Sequence, residues 1–184
     1  TSPTILEGME LNGTSLWRIN LGINVRSGAH YTPFMVYDLD GDGLAELVCR
    51  TSDGAVDGVG NGIGNAHEDH RDKRGRVLRA PEFLTAFDGK TGAAMDTVPF
   101  APVRGDVRLW GDAYGNRSER FLACIAYVDG NRPSVVQGRG YYKGRTGPGR
   151  TAIAAWDWDG ESLTKRWQFD TLNRKDLTGY IGQG

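Results

Sequence analysis

Cysteine is scarce in this sequence: Cys49 and Cys124 are the only two among 184 residues, which excludes the disulfide-dense scaffold that small secreted domains rely on. Both lie in apolar, strand-like runs, where a buried free thiol is the ordinary expectation and the spacing supports no particular pairing. No apolar run approaches the roughly 20 residues of a membrane-spanning helix, so no such segment is expected. An excess of charge is also missing. The 22 basic residues face 23 acidic ones for a formal net charge of -1, and the basic ones are spread along the chain, which excludes a general electrostatic pull toward nucleic acid. A secretory leader pattern is not seen from Thr1 onward, but both ends read as cut. The chain opens inside what reads as a hairpin and stops at Gly182-Gln183-Gly184 without a terminal element, so a piece of a larger fold is expected.

What is abundant is glycine, with 27 residues in a chain that is 39% hydrophobic, a composition that favours turn-rich β structure. The chemistry concentrates in Phe34-Met35-Val36-Tyr37-Asp38-Leu39-Asp40-Gly41-Asp42-Gly43-Leu44-Ala45-Glu46-Leu47-Val48-Cys49-Arg50. Three aspartates at every second position, a glycine after the third and a glutamate four residues beyond it describe an oxygen cage for a hard divalent cation. Calcium fits Asp38, Asp40, Asp42, Glu46 and the Leu44 carbonyl better than magnesium, which demands a tight octahedron and keeps its waters. The flanks are short apolar runs without helical period, so the cage caps a β-hairpin and not an EF-hand.

Other acidic loops are more ambiguous. Thr51 to Gly58 and Trp110 to Glu119 could supply oxygen ligands, and Asx turns account for the same residues without metal. Tyr127-Val128-Asp129-Gly130-Asn131 aligns with the Asp38 loop but has too few carboxylates, and Arg132 is placed to neutralise Asp129. His67-Glu68-Asp69-His70 lies among Arg71, Asp72, Lys73, Arg74 and Arg76 and reads as a solvated charged loop, not a zinc site. His30 has no identifiable acid or nucleophile partner and could orient a loop or meet a ligand. In Gln137 to Gly147, Arg139, Tyr141, Lys143 and Arg145 can offer forked donors to carboxylates and flat faces to sugar rings. Tyrosines packed between sheets, with the basic heads in water, explain that stretch equally simply.

A design of strand, Gly-bearing turn and strand occurs three times, around Gly13, Gly89 and Gly160, which are 76 and 71 positions apart. Between them the expected strands are Phe34 to Tyr37, Glu46 to Cys49, Phe83 to Phe87 and Ala93 to Val98, then Phe121 to Tyr127, Pro133 to Gln137, Ala152 to Trp158 and Leu163 to Phe169. Four-stranded units in tandem suggest an all-β fold of propeller blades. About two and a half blades are expected: residues 1–22 ending one, 30–100 a second, 104–170 a third, and 171–184 starting the next connection.

Taken together, Trp17-Arg18-Ile19-Asn20-Leu21-Gly22, Arg26-Ser27-Gly28-Ala29-His30-Tyr31-Thr32-Pro33-Phe34, the Asp38 loop, Arg104-Gly105-Asp106, Gly111-Asp112-Ala113-Tyr114-Gly115-Asn116-Arg117 and Arg139-Gly140-Tyr141-Tyr142 resemble bacterial rhamnogalacturonan lyases of the calcium-rich β-propeller type. The resemblance covers nearly the whole chain. It implies an eight-bladed propeller, several calcium ions, an extracellular or periplasmic monomer, and cleavage of the rhamnose-galacturonate backbone of pectin by β-elimination. A non-catalytic, calcium-stiffened propeller module that binds glycan or protein is the alternative. Two departures bear on the carry-over. Residues 143–150 read as an insertion, and no catalytic base is assignable, so most catalytic groups are expected beyond Gly184.

Overall fold

Every side chain of the strand Glu46–Thr51 is buried. Leu47 and Cys49 join one apolar cluster while Val48 joins another. Because side chains alternate along a strand, one that is buried throughout must be covered on both faces. It belongs to the middle of three stacked layers. The computed structural model describes residues 2–141 and 149–173, and these form three four-stranded antiparallel sheets. Among the described residues no helix is long and apolar enough to cross a membrane.

In sheet one the order is β1 (Ile5–Met9), β2 (Ser15–Asn20), β5 (Ala55–Val56) and β6 (Gly62–Ile63); in sheet two it is β3 (Phe34–Tyr37), β4 (Glu46–Thr51), β7 (Phe83–Asp88) and β8 (Ala94–Pro99). Sheet three runs in chain order through β9 (Phe121–Ala126), β10 (Ser134–Arg139), β11 (Ala152–Trp158) and β12 (Leu163–Asp170). Leu47, Cys49 and Phe87 of sheet two pack on Trp17, Ile19, Ala55 and Ile63 of sheet one. Val48, Leu84 and Ala86 point the other way, toward Phe121, Val135, Ala154 and Trp156 of sheet three. A hydroxyl ladder crosses sheet two, with Thr51 Oγ1 2.8 Å from Thr85 Oγ1, itself 3.0 Å from Thr97 Oγ1.

All eight strands expected for sheets two and three form, with ends within a few residues of those read from the sequence. The first sheet differs. Residues 1–22 supply only half of it, and β5 and β6 complete it from inside the connection between β4 and β7, with Asn20 paired to Val56. The layers are therefore three full sheets in place of two and a half, and the first is interlaced with the second. The two cysteines sit on different sheets, β4 and β9, and both thiols are free. Burial pushes the Cys49 thiol up to about 12, so it remains protonated and unreactive at neutral pH.

The threefold turn pattern returns as structure. In β1–β2, β7–β8 and β11–β12 the register slips just before the turn, between Gly8 and Met9, Ala86 and Phe87, and Ala155 and Trp156. Such bulges bend and twist the strand that carries them. At the second of these turns Trp17 Nε1 donates to the Gly89 carbonyl at 2.9 Å, and a Cβ on Gly89 would lie 1.9 Å from the Ala45 carbonyl oxygen. The obstacle is backbone and cannot swing aside. Gly89→Ala is expected to cost roughly 1–3 kcal/mol, read as a lower urea midpoint; an unchanged midpoint would mean that the two turns do not touch.

The two ends of the stack differ in character. Short hairpin turns at 38–45, 89–93, 127–133 and 159–162 gather at one end. They are joined there by a 3.1 Å contact between the Tyr37 and Tyr127 hydroxyls and by the Leu163 amide donating to Asp96 Oδ2 at 2.7 Å. The long connections 21–33, 64–82 and 100–120 lie at the opposite end, and most of the described arginines lie with them.

Candidate functional site

The turn between β3 and β4 holds one carboxylate oxygen from each of Asp38, Asp40 and Asp42 within 4.8 Å of one another. Its shape follows from local chemistry. Gly41 and Gly43 take φ values of 87° and 90°, a left-handed conformation that side chains resist. The amides of Gly41 and Gly43 donate to Asp38 at 2.7 and 3.1 Å, and the Leu44 amide donates to Asp42 Oδ1 at 2.7 Å. Three like charges held this close repel one another, and among the described residues no lysine or arginine pairs with them. A hard divalent cation is the natural counterion for this all-oxygen set.

Glu46 is not brought into the trio. It is buried at the start of β4, where Oε2 accepts the Leu39 amide at 2.8 Å. Burial raises its carboxyl above the ordinary value, the Leu39 amide works against that, and the charges of Asp40 and Asp42 raise it further. A cation held by the aspartates would reverse that repulsion. Leu44 lies on the exposed rim of the turn. Gly160 of the β11–β12 turn abuts the site from the next sheet, its Cβ position being 3.2 Å from Asp40 Oδ2.

The remaining acidic loops are Asx turns. Asp112 accepts four backbone amides, from Tyr114, Gly115, Asn116 and Arg117, at 2.7 to 3.1 Å. Asp57 accepts from the amides of Val59, Asn61 and Ala94, and Asp53 from the Asn65 amide and the His70 ring. Each is a lone carboxylate surrounded by donors, the opposite of the Asp38 turn. His67 and His70 do not converge on a metal; His70 Nε2 lies 2.8 Å from Asp53 Oδ2. Asp129 is neutralised as expected, but chiefly by Arg166 at 2.7 Å, while Arg132 stands 3.9 Å away and reaches toward Asp157 at 3.3 Å.

Arg139 requires a correction. It lies at the long-connection end with a side chain that is 0% exposed, and it forms a buried ion cluster with Arg50, Arg104, Glu82 and Glu119. Its two terminal nitrogens grip Glu82 at 2.7 and 2.8 Å, one of them also reaching the Pro102 carbonyl at 2.8 Å. Arg50 bridges Glu82 at 3.0 Å and Glu119 at 3.1 Å, and Arg104 reaches the same two at 2.8 and 2.9 Å. Phe121 lies beneath the guanidinium groups of Arg50 and Arg139, at 4.6 and 4.8 Å. Burial alone would push Glu82 up, but Arg139 and Arg104 outweigh it and hold the carboxyl well below the usual range. Arg139 is thus a structural group, with no face to offer a uronate. Tyr141 is partly exposed, and its hydroxyl lies 2.9 Å from His30 Nδ1, which gives His30 the partner the sequence did not reveal. Lys143 and Arg145 lie outside the described residues.

The model of rhamnogalacturonan lyase family 11, C-terminal domain, matches residues 1–184. The chain belongs to that family. The rhamnogalacturonan exolyase YesX of Bacillus subtilis (strain 168) is 52% identical over all of this chain and 29% of its own length. The rhamnogalacturonan endolyase YesW of the same organism is 50% identical over all of the chain and 28% of its own length. The crystal structure of exotype YesX superposes with a TM-score of 0.91 over 100% of the chain and 29% of that structure, at 52% identity. The Bacillus licheniformis lyase PL11 gives 0.87 over 93% of the chain and 28% of that structure, at 53% identity. The chain therefore spans less than a third of the length of the curated relatives it matches, and the resemblance to rhamnogalacturonan lyases read from its motifs agrees with them.

Proposed function

We propose that this chain is part of a calcium-dependent rhamnogalacturonan lyase, a polysaccharide lyase that cleaves the rhamnose-galacturonate backbone of pectin by β-elimination. The observation that carries the proposal is 50 to 52% identity across every residue of the chain to two proteins named for that activity. In this reading a base removes the C5 proton of galacturonate, the C4 oxygen leaves, and an unsaturated uronate remains. Such a step needs the neighbouring carboxylate neutralised by a cation. The three stacked sheets are read as blades of an eight-bladed propeller, each covering its neighbour. The Asp38, Asp40 and Asp42 turn holds calcium as a structural ion, stiffening the end of the stack where the short hairpins meet. Tyr141, with Lys143 and Arg145, is assigned to contacts with the polymer, in a secreted or periplasmic monomer.

The stretch matches an exolyase and an endolyase almost equally. That supports a scaffold common to both modes of attack, with the choice between them made elsewhere in the protein. The natural protein that carries this chain is expected to raise ultraviolet absorbance from new C4–C5 double bonds when given rhamnogalacturonan and calcium, and a chelator is expected to suppress the rise. A folded, calcium-loaded protein that leaves the absorbance flat would instead be a glycan-binding or protein-binding module.

A further inference from the structure

At the long-connection end a cleft of about 430 Å³ opens between the 23–27, 71–78 and 114–119 segments, a size within the roughly 300–1,000 Å³ of small-ligand pockets. Its walls carry Arg26, Arg71, Arg74 and Arg76, its floor is apolar with Val25 and Leu78, and Tyr114 stands half-exposed at the side. We propose that this cleft is a uronate-binding subsite, in which Arg74 and Arg26 take a galacturonate carboxylate while the sugar's apolar face rests on Tyr114 and the floor. The inference rests on the lyase reading above and assigns this cleft to its substrate.

The charge balance distinguishes the four arginines. Arg71 is clamped by Asp69 at 2.7 and 2.8 Å, and Arg76 by Asp72 at 2.6 and 2.8 Å. The fifth charge on the lining, Glu119, belongs to the buried ion cluster through Arg50 and Arg104. That leaves Arg74 and Arg26. Arg74 is exposed and has no carboxylate partner among the described residues, and the Arg26 guanidinium lies 3.7 Å over the Tyr31 ring, a contact that leaves its edge donors for an anion. Two guanidinium groups that meet no carboxylate among the described residues, beside an apolar floor, suit an anionic sugar better than a neutral one.

The walls are also rigid before any ligand arrives. Arg71 and Val77 form a β-bridge, and the Asp72 carboxylate accepts the amides of Arg74 and Arg76 at 2.8 and 3.0 Å. Opposite them, the four amides bound by Asp112 fix the segment that presents Tyr114. A site ordered in advance loses less entropy on binding.

The test is calorimetric binding by the full-length natural protein of two probes: saturated rhamnogalacturonan oligosaccharides, and the same oligosaccharides with the uronate carboxyls reduced to alcohols. Arg74→Ala is expected to weaken binding of the native probe about tenfold, the loss of one charge-assisted contact, and to leave the reduced probe unaffected. Arg74→Lys should retain most of the affinity, and Arg26→Ala should act in the same direction as Arg74→Ala. Equal losses for both probes, or none for either, would overturn the assignment. Absorbance from new double bonds, measured alongside, separates the two readings. Intact cleavage with unchanged binding by Arg74→Ala removes the subsite and leaves the lyase, whereas carboxylate-specific loss without cleavage by the parent protein keeps the subsite and removes the lyase.

Discussion

Replacing Glu82 with glutamine will lower the unfolding midpoint more than any single change at the surface. The variant keeps the volume but leaves three buried guanidinium groups, those of Arg50, Arg104 and Arg139, sharing one carboxylate, Glu119. Removing one partner from a buried ion pair typically costs about 3–5 kcal/mol, because an uncompensated charge stays behind. At about 2–4 °C per kcal/mol for a domain of this size, the melting midpoint should fall by roughly 6–20 °C. Arg104→Met is the informative contrast. Its Nε and Nη1 are buried without partners, and its loss would bring the cluster to two cations on two anions. That change should cost about 1 kcal/mol or less. If Arg104→Met proves as damaging as Glu82→Gln, charge balance is not what holds the cluster together. The sign with pH follows from Glu82, whose folded value lies below its ordinary 4.5. Its contribution is complete above that ordinary value and is lost as the pH falls toward the depressed folded one. Acid unfolding should therefore begin below about pH 4.5 in the parent protein and be shallower in Glu82→Gln.

Calcium should raise the unfolding midpoint, and Asp40→Ala should abolish the rise. An ion that binds only the folded state stabilises by about 2.7 kcal/mol at one hundred times its dissociation constant, or roughly 5–11 °C here. For an extracellular-type site of about 10⁻⁴ M that requires about 10 mM calcium. Magnesium should do less, since the turn has no preformed octahedron to offer it. Asp129→Ala is the control, because Arg166 already neutralises Asp129 and the calcium response should survive its loss. A midpoint indifferent to calcium in the parent protein would leave the Asp38 turn a plain Asx turn.

The contrast between these two sites explains what the sequence could show. The Asp38 turn is local: its three carboxylates fall within five residues, and glycines at the positions of positive φ mark the backbone that gathers them. The hairpins of sheets two and three are local in the same sense, and their alternation and Gly-bearing turns were readable. The ion cluster draws on residues 50, 82, 104, 119 and 139, so no window of sequence contains it. A signal did exist in the phase of the strands. Arg50 shares its face of β4 with Val48, and Arg139 its face of β10 with Val135, both core positions. An arginine on the buried phase of a strand calls for a buried carboxylate, a stronger clue than the tyrosines that drew attention to Arg139. Strands β5 and β6 were missed for a different reason. At two residues each they carry no period, and only the pairing of β5 with β2 and of β6 with β5 makes them strands. The arginine cleft was hidden within a loop whose charges looked merely solvated, because the partners of Arg71 and Arg76 lie beside them in the sequence, whereas Arg74 meets no carboxylate among the described residues.

The interlacing of the first two sheets also sets an order of events during synthesis. The β1–β2 hairpin emerges before the strands that complete its sheet, since β5 lies 35 residues beyond the end of β2. At 5–20 residues per second, the free edge of β2 waits roughly 2–7 seconds for its partner. Over the same interval Trp17 and Ile19, both buried in the finished fold, lack the part of their cover that Ala55, Ile63 and Phe87 supply. An unpaired edge beside partly uncovered apolar side chains invites association with other nascent chains, so this hairpin is one that a chaperone would protect.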